Sequence, residues 1–140
     1  KQGEWFNGAR RTFECTKLSM SLKIAAIWHA HGIEAFQENL RRVHANAMCF
    51  YRMLSADERF EVATLPESNI VCFRLVHSDL QGDELDALQI RIREKVLSGG
   101  AFYLVQTTLN GRVWLRTALM NPFTQTADLQ ELLEKLALSA

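Results

Sequence analysis

The 140-residue chain has no excess of either charge: Lys plus Arg is 16 and Asp plus Glu is 16, a formal net charge of zero. A nucleic-acid binder usually carries surplus positive charge to replace phosphate counterions, so that class is disfavoured and no nucleic-acid partner is expected. No run approaches the ~20 apolar residues of a membrane helix, and no membrane partner is expected. Residues Lys1 to Glu4 lead into no apolar signal-peptide core. Proline occurs only at Pro66 and Pro122, which leaves no Pro-rich linker. The cysteines Cys15, Cys49 and Cys72 are odd in number and widely spaced. They suit neither a disulfide framework nor a zinc site, and point to a reducing, cytoplasmic home.

Metal chemistry fares no better. His29 and His31 look paired, but two residues along a helix turn through about 200°. They face opposite ways, and no metal site is expected. Glycine-rich phosphate loops and a Gly-x-Ser-x-Gly elbow are also missing. The acids Asp83, Glu84 and Asp86 read as compensation of a helix dipole rather than as a catalytic pair.

What remains is the balance of one soluble folded domain, with 48% apolar and 23% charged residues. Residues 1–10 show no period and read as an irregular opening segment. A helix is expected over about 12–30 from Leu18, Leu22, Ala25 and Ala26, stopped by Gly32. The clearest signal follows: Ile33, Phe36, Leu40, Val43, Ala47, Phe50 and Leu54 step by three and four and lay one apolar stripe along a helix. Glu38 and Arg42 can pair on its solvent side.

Strands are expected over Phe60–Leu65 and Asn69–Leu75, the second rich in β-branched and aromatic residues. Asp83 is the expected N-cap of a third helix carrying Leu85, Leu88, Ile92 and Val96, with Ser98-Gly99-Gly100 as its stop. Asn110-Gly111 between Ala101–Leu109 and Arg112–Met120 is a hairpin signal, because both turn residues must take positive φ. Thr126 is the expected cap of a last helix with Leu129, Leu132, Leu133 and Leu136 on its apolar face. The fold class is therefore α+β: a roughly four-stranded, mostly antiparallel sheet with helices on one face.

One residue stands out. Arg116 sits mid-strand in Val113-Trp114-Leu115-Arg116-Thr117-Ala118-Leu119. Strand alternation can place it harmlessly on a solvent face. Its fork can equally grip a carboxylate at a sheet edge or domain interface.

Together these motifs resemble a known family. Arg11-Thr12-Phe13-Glu14-Cys15-Thr16-Lys17, Ser21-Leu22-Lys23, Pro66-Glu67-Ser68-Asn69-Ile70-Val71-Cys72-Phe73-Arg74, Leu115-Arg116 and Asn121-Pro122 occur in order. This pattern is similar to the C-terminal region of pyridoxal-phosphate-dependent group II decarboxylases, which include glutamate, aromatic amino acid and diaminobutyrate decarboxylases. The resemblance implies the small C-terminal domain of a type I pyridoxal-phosphate enzyme (residues 32–140), preceded by an opening segment and interdomain connecting helix (residues 1–31).

It also implies a function. The chain would help close the active site of an amino-acid decarboxylase, and Arg116 would hold the substrate carboxylate. Lys17 stands where many members have arginine. The cofactor lysine of this family follows a histidine, whereas Lys1, Lys17, Lys23, Lys95 and Lys135 do not. The aspartate on the pyridine nitrogen and the histidine stacked on the ring belong to the large domain upstream. The expected partners are thus that large domain of the same chain, a second subunit and an amino-acid substrate. Pyridoxal phosphate is expected in the parent enzyme, with no catalytic or cofactor-binding residue here and no activity of the chain alone. A start at Lys1 rather than methionine suits a part of a longer product. The alternative is a stand-alone ligand- or protein-binding module. An upstream reading frame with a His-Lys motif separates the two.

Overall fold

The computed structural model describes residues 20–139. The opening segment, the start of the first predicted helix, Cys15 and Lys17 lie outside the described residues. The chain divides into two compact units, Lys1–Phe36 and Gln37–Ala140. In the first, helix α1 spans Met20–His31. Leu22, Ile24, Ile27 and Trp28 lie around its circumference, and all four are exposed.

The remaining elements run α2 (Glu34–Ser55), β1 (Phe60–Val62), β2 (Ile70–Leu75), α3 (Gly82–Ser98), β3 (Val105–Leu109), β4 (Arg112–Ala118) and α4 (Thr126–Leu138). The four strands form one sheet in the order β1-β2-β4-β3, antiparallel at every pairing. Two hairpins, β1–β2 and β3–β4, thus meet along the β2–β4 seam.

Alternation sorts the strand residues. Phe60, Val71, Phe73, Leu75, Leu115 and Thr117 are buried against the helical layer. Cys72, Arg74, Trp114 and Arg116 occupy the opposite, outer face. On the inner side α2 contributes Val43, Ala47, Phe50 and Leu54, the C-terminal half of its stripe. Leu40 of the same stripe is exposed. Phe50 meets Phe73 edge-on at 5.4 Å between ring centroids. Leu88, Ile92 and Val96 of α3 and Leu129, Leu132, Leu133 and Leu136 of α4 complete the core. Burial of each such side chain is worth roughly 1.5–3 kcal/mol.

The β2–β4 seam opens at one end. Pairing stops at Phe73–Leu115, beyond which the register would set Arg74 against Trp114 and then Leu75 against Val113. Helix α3 fills the wedge. Gln89, fully buried, accepts the Leu75 N–H (3.0 Å) and donates Nε2 to the Leu75 carbonyl (2.8 Å). Asp86, one turn earlier, accepts the Val113 N–H at 3.1 Å. Two side chains thereby replace a lost rung of backbone hydrogen bonds, so no buried donor is stranded there.

Several local expectations need correction. The α3 N-cap is Gln81, not Asp83, so the helix starts two residues earlier, at Gly82, whose φ of +57° suits a glycine at the turn into the helix. Asp83 instead bonds Arg112 at 3.2 Å. The α4 N-cap is Gln125 rather than Thr126, its backbone N–H donating to Asp128 at 2.8 Å. Strand β3 starts at Val105 rather than Ala101, since Leu104 turns fully into the core and its carbonyl accepts Arg93 Nε at 3.1 Å. Strand β1 ends at Val62, short of Leu65, before a loop that buries Pro66. Elsewhere local chemistry behaves as expected. Asn110 and Gly111 take φ of +51° and +75° in the β3–β4 turn. Glu38 accepts Arg42 Nε at 2.7 Å.

Candidate carboxylate site on the outer sheet face

Arg116 lies in the middle of β4, flanked across the ladder by Cys72 of β2 and Val105 of β3. It is partly buried, and its Nε is fully buried with no hydrogen-bond partner. Leaving such a group unsatisfied costs roughly 1–3 kcal/mol, more for a charged one. A guanidinium in this state can offer Nε–H and an adjacent N–H to one carboxylate as a two-point fork.

The neighbours are suited to an anion in different degrees. Burial pushes the Cys72 thiol above its ordinary pKa, and the Arg116 charge pulls it the other way. Cys72 also lines an open cleft of about 450 Å³ together with Thr64, Glu67, Ser68 and Ile70. One row along the sheet, Arg74 is engaged. Its Nε and Nη2 reach Glu61 Oε2 at 2.7 and 2.6 Å, and its guanidinium lies 4.6 Å above the Trp114 ring. Trp114 is only 8% exposed although it belongs to the outer face. From the sequence Arg74 is assigned no role of its own. Its parity with Cys72 and Ile70 was the available signal, but its partner Glu61 stands 13 residues away on another strand.

Lys95 donates to the Ser139 carbonyl at 3.0 Å. Lys135 pairs with Glu131 at 3.2 Å and sits over Phe102. Lys23 belongs to α1, and none of the three follows a histidine. Among the described residues no three His, Cys, Asp or Glu side chains cluster as metal ligands, and no helix is long and apolar enough to cross a membrane.

Comparison with known proteins gives this geometry a context. Residues 8–76 match the pyridoxal-dependent decarboxylase conserved domain. The chain is 32% identical over 105 residues to tryptophan decarboxylase 2 of Oryza sativa subsp. japonica, which covers 75% of this chain and 21% of that protein. It is 33% identical over 111 residues to the aromatic-L-amino-acid decarboxylase of Drosophila melanogaster, covering 79% and 20%. The chain belongs to the pyridoxal-dependent decarboxylase family.

The family's fold agrees. The glutamate decarboxylase domain of a Vibrio parahaemolyticus diaminobutyrate-pyruvate transaminase and L-2,4-diaminobutyrate decarboxylase superposes with a TM-score of 0.75 at 26% identity, over 84% of this chain and 25% of that one. The chain therefore spans about a fifth of the length of the curated decarboxylases it matches and a quarter of the solved one.

Proposed function

We propose that this chain is the small C-terminal domain of a pyridoxal-phosphate-dependent amino-acid decarboxylase, with the opening segment and connecting helix over residues 1–31 and the domain over 32–140. In the parent enzyme it helps close the active site against the large cofactor-binding domain of the same chain. Arg116 grips the α-carboxylate of the amino-acid substrate. The observation that carries this reading is the buried, unpartnered Nε of Arg116 on the sheet face away from the helices. A fork fixed at one end by a β-strand orients a bound carboxylate, and orientation of the reacting group is where such a residue lowers a barrier. The parent works as a homodimer in the cytoplasm, a setting with which the free thiols of Cys49 and Cys72 agree. The chain by itself neither anchors pyridoxal phosphate nor decarboxylates.

A segment exchange tests this. The chain replaces the matched stretch of rice tryptophan decarboxylase 2, and decarboxylation of L-tryptophan is followed. The exchange enzyme is expected to be active. Arg116→Ala should then cut kcat/KM by about 10- to 100-fold, the scale of one charge-assisted hydrogen-bonded pair. Arg116→Lys should recover only part, since it keeps the charge and loses the fork. Unchanged kinetics in Arg116→Ala would overturn the assignment. The isolated chain, treated with pyridoxal phosphate and borohydride, should show no single labelled lysine.

A further inference from the structure

The four strands contain one acid, Glu61, and it lies on the same outer face as Arg116. Glu61 faces Arg74 across the β1–β2 ladder, and Arg116 stands one strand and one row further on. Strand spacing of ~4.8 Å and a shift of two residues put the Cα atoms of Glu61 and Arg116 roughly 12 Å apart. That is within the combined reach of the two side chains. Glu61 is nevertheless occupied: both Arg74 nitrogens converge on its Oε2 at 2.7 and 2.6 Å. Arg74 is itself held flat by the Trp114 ring at 4.6 Å, and its side chain is 20% exposed. A planar guanidinium can serve a carboxylate at its edge and an aromatic ring at its face simultaneously, which an ammonium cannot.

We propose that Arg74 is a positioning residue for the carboxylate site: by retaining Glu61 on the Trp114 platform, it keeps the guanidinium of Arg116 from pairing within the sheet and leaves it open to an external carboxylate. This rests on the reading of Arg116 given above and adds the device that protects it. Without Arg74 the one carboxylate carried by the four strands is released two strands from Arg116, and the two would close on one another.

The test uses the chain itself. The rate at which phenylglyoxal modifies Arg116 is followed by peptide mass mapping, and the Arg116 Nε–H resonance is followed by ¹⁵N-edited NMR. Arg74→Ala should slow modification of Arg116 by roughly fivefold, the size expected of a partly exposed ion pair, and shift its Nε–H signal. Glu61→Ala alone should leave both readouts as in the parent chain. The double variant Glu61→Ala/Arg74→Ala should restore them. Restoration is the decisive arm, because loss of packing on Trp114 cannot be repaired by deleting a second residue. An unchanged Arg116 in Arg74→Ala, or a double variant as slow as the single one, would overturn the proposal. Circular dichroism of each variant checks that the sheet persists, and Arg74→Lys, which retains a charge beside Glu61, provides a milder substitution should Arg74→Ala fail to fold. Protection of Arg116 by added acetate is scored separately. Its absence in the unmodified chain would count against the carboxylate reading while leaving the Glu61–Arg74 relation intact.

Discussion

Replacement of Gln89 by leucine isolates the wedge between β2 and β4. The side chain is nearly isosteric, so little volume changes. What changes is the fate of the Leu75 N–H and C=O, which bond Gln89 at 3.0 and 2.8 Å in a fully buried setting. Each of the two stranded backbone groups costs about 1–3 kcal/mol, and the added apolar burial returns about 1 kcal/mol, leaving a net loss of roughly 1–5 kcal/mol. The third bond, Nε2 to the Leu85 carbonyl at 3.2 Å, adds little, because that carbonyl sits within the α3 helical ladder. For a chain of this size the loss corresponds to about 3–18 °C in Tm, against a typical stability of about 5–15 kcal/mol. Urea unfolding monitored by tryptophan fluorescence and by circular dichroism should show a lower midpoint at unchanged slope. Gln89→Glu sharpens the test. At neutral pH its carboxylate can still accept the Leu75 N–H but must face two carbonyl oxygens. Its deficit relative to the parent should therefore shrink in acid, where the protonated carboxyl can donate. A Gln89→Leu variant within 0.5 kcal/mol of the parent would refute the claim that Gln89 is the required partner of Leu75, and would mean that the seam re-pairs with Val113.

Further outcomes follow from single sites. Gly111→Ala should destabilise by about 1–2 kcal/mol in chemical denaturation, purely through its φ of +75°, since an added Cβ meets nothing within 4 Å. A loss below about 0.3 kcal/mol would contradict the positive-φ turn. The side-chain hydrogen bond from Arg59 is the main cause holding Asp57 below its ordinary pKa of 3.8, opposed by a smaller effect of burial. A depressed folded-state pKa contributes stability that is complete above the unfolded value and is lost as pH falls through the folded one. Asp57→Asn should therefore flatten the fall in stability below about pH 4, while a curve parallel to the parent's would assign that fall to other carboxylates.

Much of the fold was legible because its signals are local. The three-four stepping of α2, the β-branched run of β2 and the Asn110-Gly111 turn each depend on a few adjacent residues and on backbone preference. Helix starts were less legible. Asp83 and Thr126 are good caps by residue type, yet α3 starts two residues before the Asp83 cap would place it, and the reach of Asp128 to the Gln125 N–H moves the α4 start by one. Strand β3 was overextended because nothing local reveals that Leu104 turns inward.

The sequence by itself determined the element types, the α+β class, the family and the singling out of Arg116, since all of these rest on residue identity and spacing along the chain. Only the tertiary structure decided what each polar group meets. Gln89 finds Leu75 across 14 residues, Asp86 finds Val113 across 27, and Arg74 finds Glu61 across 13. Such partnerships are set by strand order and register. Those follow from how the whole core packs, so no window of sequence contains them. The open state of Arg116 is of the same kind: it depends on where the sheet's one acid is held, and that is a property of three strands together.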